Sequence, residues 1–274
     1  MNVGRHENLP QALRNRTIVV SHALPYLGTR QPSDLLLRCK IVEEVLAGAA
    51  ASSRASITAA AEALSVPDFA MGRGLPALRD ELEPYLPEIP PRTAEANVKT
   101  LEEFKVYSRM VPKLRPFSTL SEDEFLRAVL EIHRRLGTGA NQLRQTPVWT
   151  RRDSTGNALL YPDARECRAL LGRLHTFIAT NAPANPALCA VAGYAALIQI
   201  HPFNDGNGRT ARTFFNLLLS SELRVRHFVP LQALKAQWPG SYIIKLRRAM
   251  HQSDLVPIAD YFAALVRISS SLQR

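Results

Sequence analysis

Apolar residues recur at helical spacing along most of the chain, and only one stretch alternates as a pair of strands would. Asp34 to Ala63 is rich in Ala and Leu, with Ser33 or Asp34 placed to cap it. Pro and Gly then interrupt the chain from Pro67 to Pro91. Thr93 is placed to cap a helix running through TAEANVKTLEEFKVYSRM. Thr119 or Ser121 can cap the next one, because SEDE puts acids in the first turn and EFLRAVLEIHRRL follows with helical spacing. Further helices are predicted over Asp163 to Asn181, Ala187 to Ile200, about Gly208 to Ser221, Gly240 to Gln252 and Pro257 to Leu272. The exception is PVWTRRDSTGNALLYP, Pro147 to Pro162. There, Val148 to Thr150 and Ala158 to Tyr161 flank a polar Ser-Thr-Gly-Asn turn and predict an isolated hairpin. One hairpin is marginal alone, so it must pack on the helices, and its open edge can accept a partner's strand. The expected fold class is all-α with one short β-hairpin. No internal repeat, low-complexity tail or heptad run interrupts this reading.

Composition narrows the picture. Among 274 residues, 46% are hydrophobic and 21% charged, a globular mixture that excludes wholesale disorder. The 34 Lys+Arg against 24 Asp+Glu give a formal charge of +10. That excess favours anionic partners in general, but spread over this length, with no base-reading element, it describes a basic soluble surface and argues against nucleic acid. Cys39, Cys167 and Cys189 are few, odd in number and widely spaced. They form neither a disulfide framework nor a zinc site, and a reducing compartment fits them. MNVGRHENLPQALRNR lacks the apolar core of a signal peptide. Ala187 to Ile200 falls short of the ~20 apolar residues of a membrane span and reads as a buried helix. A cytoplasmic protein without a membrane partner is expected.

The chemistry concentrates in HPFNDGNGRTAR, His201 to Arg212. Pro202 disfavours helical geometry at His201, so the preceding helix ends there and presents His201 beside a loop. Asn204, Asp205, Gly206, Asn207 and Gly208 are residue types that tolerate positive φ, which lets successive backbone N–H groups converge on an anion. A helix then starts, with its free N–H groups aimed at the same spot. Arg209 and Arg212 lie on one face near its start. Cations there oppose the helix dipole at ~0.3–1 kcal/mol each, an arrangement that makes sense if a multiply charged anion occupies the loop. The guanidinium fork suits phosphate oxygens. Asp205 inside this cluster is a natural ligand for Mg²⁺, which takes one or two carboxylates plus phosphate oxygens. His201 is the nearest neutral base. Each residue alone has a bland explanation: a structural histidine, a turn-capping Asp, solvated arginines, an ordinary Gly-Asn-Gly turn. Together, at this spacing, four coincidences would be needed.

HPFNDGNGRTAR resembles, without a mismatch, the signature of the Fic domain family: His-Pro-Phe, two residues, Gly-Asn-Gly-Arg, two residues, Arg. Leu143-Arg144 followed by Val148-Trp149 is similar to the lead-in of that family's flap hairpin, and Tyr161-Pro162 to its exit. Ser241 to Leu246 is similar to the Tyr-Tyr-x-x-Leu stretch of a later helix. The likeness covers about Thr119 to Met250 well and the N-terminal third more loosely. It implies a Fic-type helical bundle: a helical region at 1–118, a core at 119–238 and packed C-terminal helices at 239–274. It further implies transfer of AMP from ATP to a Tyr, Ser or Thr hydroxyl of a target protein. His201 would be the general base and Phe203 a buried anchor. Asp205 would hold Mg²⁺, Gly206, Asn207 and Gly208 would cradle phosphates, and Arg209 and Arg212 would bind the β- and γ-phosphates. Val148, Trp149 and Thr150 would dock the target's extended segment.

In one departure, many relatives carry an inhibitory helix whose Glu pairs with the second motif arginine. Ser52-Ser53-Arg54-Ala55-Ser56-Ile57 resembles the N-terminal version of that segment, within a degenerate helix at about 41–64. This register puts Ser56 at the Glu position. A second register, Thr58 to Ala63, keeps Glu62 but loses the following Gly. The paired Ser-Ser-Arg favours the first. Ser cannot pair bidentately with Arg212, so a weak or absent brake is expected, and the reverse reaction that uses the Glu is disfavoured. Transfer of UMP or GMP instead of AMP is one alternative, and a nucleotide-binding regulator without catalysis is another. A DNA-binding regulator rests only on the +10 charge, and the chain ends soon after the last core helix. The target, the oligomeric state and the choice between a resident enzyme and an effector delivered into another cell's cytoplasm stay open.

Overall fold

All 15 residues from Pro186 to Ile200 are buried, so this helix needs neighbours on every side. The computed structural model describes residues 17–19, 24–28, 31–50, 93–137, 142–150, 158–237 and 239–272. In chain order its elements are β1 (Thr17–Val19), α1 (Ser33–Ala50), α2 (Thr93–Met110), α3 (Glu122–Arg135), β2 (Ala158–Leu160), α4 (Cys167–Asn181), α5 (Pro186–Ile200), α6 (Asn207–Leu223), α7 (Leu231–Gln237), α8 (Pro239–Gln252) and α9 (Val256–Leu272). The fold is all-α with short strands at one side. α5 and α6 are the most intimate pair and run through one continuous core. α4 and α1 cover α5, α9 packs on α1, and α2 packs on α6 and α7.

Local signals explain the element boundaries. Ser121 forms a capping box with Glu124: its hydroxyl accepts the Glu124 N–H, and the Glu124 carboxylate accepts the Ser121 N–H. Residues 93–110 form one helix from Thr93 onward, as predicted. Gly193 lets α5 and α6 approach closely, since a β-carbon there would lie 2.8 Å from Cε1 of Phe214. Asn216 in α6 bonds the Val229 N–H and carbonyl and pins the returning chain ahead of α7. α7 itself was not predicted, because seven residues after a Val-Pro step give too short a pattern.

The hairpin is present: Thr150 N–H donates to Leu159 O, Tyr161 N–H donates to Val148 O, and Trp149 bridges Leu160 antiparallel. It is not isolated, which corrects the sequence reading. β1 pairs with β2 in parallel, Thr17 opposite Ala158 and Val19 opposite Leu160. The turn at 151–157, and the two inhibitory positions Ser56 and Glu62, lie outside the described residues. No helix among the described residues is long and apolar enough to cross a membrane. All three cysteines are free and buried, and burial pushes the Cys39 thiol up to about 12, which makes it inert.

Burial also sets an acid limit on stability. His227 is buried, and loss of solvation alone pushes its pKa down to about 4 from its ordinary 6.5. Burial likewise takes His201 down to about 4, and lowers His133. The unfolded chain binds these protons first, so stability is complete above pH 6.5 and is lost as pH falls toward 4. At ~1.4 kcal/mol per pH unit, His201 and His227 contribute roughly 3 kcal/mol each. Between about pH 6.5 and 5.5 few carboxylates titrate, so the histidines dominate. We expect the urea midpoint to fall steeply over that window, and a flat midpoint would contradict the account.

Candidate functional site

α5 ends as Pro202 requires, with His201 in the left-handed region (φ 51, ψ 57). Its N–H still bonds Leu197 O at 3.1 Å. Nδ1 of the imidazole lies 3.2 Å from Ile198 O. A carbonyl only accepts, so Nδ1 carries the hydrogen and Nε2 keeps its lone pair. The ring stacks on Tyr161 at the hairpin exit, centroids 3.8 Å apart and planes 16° apart. Burial, with the nearby Arg144 cation, lowers the pKa to about 4, so the imidazole is neutral at pH 7.

The following loop is braced from behind. Phe203 is buried and stacks on His133 with centroids 3.7 Å apart, and the His133 Nε2–H donates to Asp205 O at 3.1 Å. Asn207 closes the loop: its Oδ1 accepts from Phe203 N–H at 3.0 Å and its Nδ2–H donates to Phe203 O at 2.8 Å. The side chain of Asn207 is therefore committed to the loop, and only its main-chain N–H is left to cradle an anion. Gly206 takes φ 77, and α6 begins with no side-chain cap. The first helical bond is Thr210 N–H to Gly206 O, so the first-turn N–H groups face the loop mouth.

The arginines are less free than the dipole argument implied. Arg209 lies 3.3 Å from Glu102 and 3.8 Å from Asp205. Arg212 gives Nε and Nη2 to Glu103, at 2.6 Å in the shortest contact, and both side chains are buried. α2 thus supplies a carboxylate to each motif cation. Nη1 of Arg212 faces the loop, where a β-carbon at Gly208 would lie 3.3 Å away. Desolvation pushes the Glu103 carboxyl up, and the Arg212 guanidinium opposes that. Lys235 joins the group with its amine 4.6 Å over the Tyr242 ring. Burial and then Arg212 lower it to about 7. The Tyr194 and Tyr242 hydroxyls are hydrogen-bonded to each other.

Glu103 had a sequence signal: Ala96, Thr100, Glu103 and Tyr107 are all buried, so a glutamate sits on the inward stripe of α2 and requires a buried cation. Arg144 was visible only through the flap resemblance, and His133 and Lys235 come from distant segments and carried no signal. Asp205 turns its side chain outward, 83% exposed. Among the described residues no group of three or more His, Cys, Asp or Glu gathers as a metal cage. A lone outward carboxylate beside a helix start fits a cation only if other oxygens, such as a phosphate's, complete its shell. On the hairpin, Trp149 is 42% exposed, and Thr150 Oγ1 accepts from Leu159 N–H at 2.9 Å.

Residues 122–219 match the Fic/DOC family. A Fic family protein from Desulfovibrio desulfuricans G20 is similar in fold, with 17% identity, 88% of this chain and 74% of that one covered, and a TM-score of 0.58. Fic-1 (residues 134–508) from C. elegans gives 18% identity over 92% of this chain and 68% of that one, with a TM-score of 0.46. A Fic domain containing signaling protein from Bacteroides thetaiotaomicron gives 19% over 91% and 92%, with a TM-score of 0.45. No curated protein matches the chain.

Proposed function

Since residues 122–219 form a domain of the Fic/DOC family, whose members are generally nucleotidyl or phosphoryl transferases, we propose that this chain transfers AMP from ATP to a Tyr, Ser or Thr hydroxyl of a protein. One observation carries the reading: a neutral imidazole, its Nδ1–H tied to Ile198 O, stands next to an uncapped helix start. Nε2 takes the proton of the target hydroxyl as its oxygen bonds the α-phosphorus and the bond to the β-phosphate oxygen breaks. The N–H groups at the start of α6 and Nη1 of Arg212 receive the departing pyrophosphate's charge, with Arg209 beside them. Asp205 would hold Mg²⁺, which supplies charge neutralisation at the phosphates when bound. The target's extended segment lies against the Val148 to Thr150 strand by main-chain pairing.

A second reading, a nucleotide-binding regulator without transfer, is favoured by the Glu103 grip on Arg212. The test is incubation of the protein with a cell lysate, Mg²⁺ and labelled ATP, UTP or GTP, followed by denaturation and mass spectrometry. Covalent label from ATP, lost with EDTA, is the expected outcome. Label from UTP or GTP alone would change the nucleotide, and reversible binding with no label in any arm would favour the regulator.

A further inference from the structure

Arg144 is buried, and its partners among the described residues are all main-chain carbonyls. Nε donates to His201 O at 2.7 Å, Nη1 to Thr146 O at 3.0 Å, and Nη2 to Pro162 O and, at 3.4 Å, to Ile200 O. Its own N–H donates to Pro202 O at 2.9 Å. A buried guanidinium is costly unless its donors are used. Here they join three places: the strand leading into the hairpin, the hairpin's exit, and the turn that carries His201.

The chemistry of that turn explains the need. A helix C-terminus leaves orphan carbonyls, usually met by a glycine in the left-handed conformation and the bonds it allows. In α5 the left-handed position belongs to His201, for which φ 51 is strained. Arg144 meets the Ile200 and His201 carbonyls instead, and its charge has the sign that a helix C-terminus favours.

We propose that Arg144 is the positioning residue of this site: it holds His201 in its left-handed turn, with Nδ1–H on Ile198 O and the lone pair left on Nε2, and couples that turn to the base of the hairpin. The consequence for transfer rests on the function proposed above, whereas the consequence for the imidazole does not. The charged groups acting on His201 are Arg144, which lowers its pKa, and Asp205, which raises it; the Tyr161 ring covers one face.

The test compares the full chain with Arg144→Lys, which keeps the charge and loses the fork, and Arg144→Gln, which loses both. The imidazole of His201 is followed by nitrogen NMR, assigned with His201→Asn, beside thermal melting, ATP–Mg²⁺ affinity and transfer kinetics. In both variants we expect loss of the fixed Nδ1–H tautomer signal and a kcat reduced about 100-fold, with nucleotide affinity within about twofold. In Arg144→Gln the titration midpoint of His201 should also rise, while Arg144→Lys keeps it near the wild-type value. If the folded variants retain the wild-type tautomer and midpoint, or if kcat falls only as the folded fraction does, Arg144 is a structural staple and the proposal is overturned. Should Arg144→Gln fail to fold, the tautomer signal of Arg144→Lys decides. If no variant and no wild type transfers nucleotide, the function reading falls, and the NMR result still judges Arg144.

Discussion

Replacing His201 with alanine is expected to remove nucleotide transfer while leaving nucleotide bound. The loop N–H groups, Asp205 and the arginines are untouched by the change, so affinity for ATP–Mg²⁺ should stay within a few-fold. A positioned general base contributes about 10²–10⁴ in rate, and kcat should fall by that factor. The left-handed φ of 51 complicates alanine, which loses the backbone tolerance as well as the ring. His201→Asn is the matching control, because asparagine enters the left-handed region readily. Both variants should lose transfer alike, and His201→Asn should melt near the wild-type temperature. Single-turnover labelling beside a binding isotherm checks this. Transfer retained within tenfold in both would place the base elsewhere.

Glu103→Ala should destabilise the fold by about 3–5 kcal/mol, because it leaves Arg212 buried and uncompensated. Lys235, already depressed by the same neighbourhood, would worsen the excess of positive charge. Glu102→Ala is the internal comparison: its pair with Arg209 is partly exposed, and such pairs contribute about 0–1 kcal/mol. A denaturant series separates the two. Removing both partners, as Glu103→Leu with Arg212→Met, should recover much of the loss, since an apolar pair carries no desolvation cost. Equal effects of Glu102→Ala and Glu103→Ala would contradict the burial argument. The charge-free isostere Glu103→Gln keeps the volume and returns the full Arg212 charge to the loop, and ATP–Mg²⁺ should bind it more tightly.

Much of this molecule is legible from the order of its residues, and what is not has a physical reason. Ser121 with Glu124, and Pro202 after His201, act over a few residues, so the start of α3 and the end of α5 at His201 could be read directly. The Gly-Asn-Gly loop was equally local, although the amide of Asn207 proved to serve Phe203. The carboxylate partners of Arg209 and Arg212 could not be read locally, because they come from a helix about a hundred residues earlier in the chain. Arg144 could be noticed as part of a resemblance, but not as a clamp on carbonyls 56 and 57 residues away. The Thr17–Val19 strand is three residues long and finds its partner only in three dimensions.

That strand has a last consequence. β2 is sandwiched, with Trp149 and Thr150 along one flank and Thr17 to Val19 along the other. Any linear visitor to this small sheet therefore meets a bystander strand before it meets β2. Its polarity is dictated by whichever bystander it joins, and an N-terminal truncation that removes Thr17 to Val19 would open the edge of β2 itself.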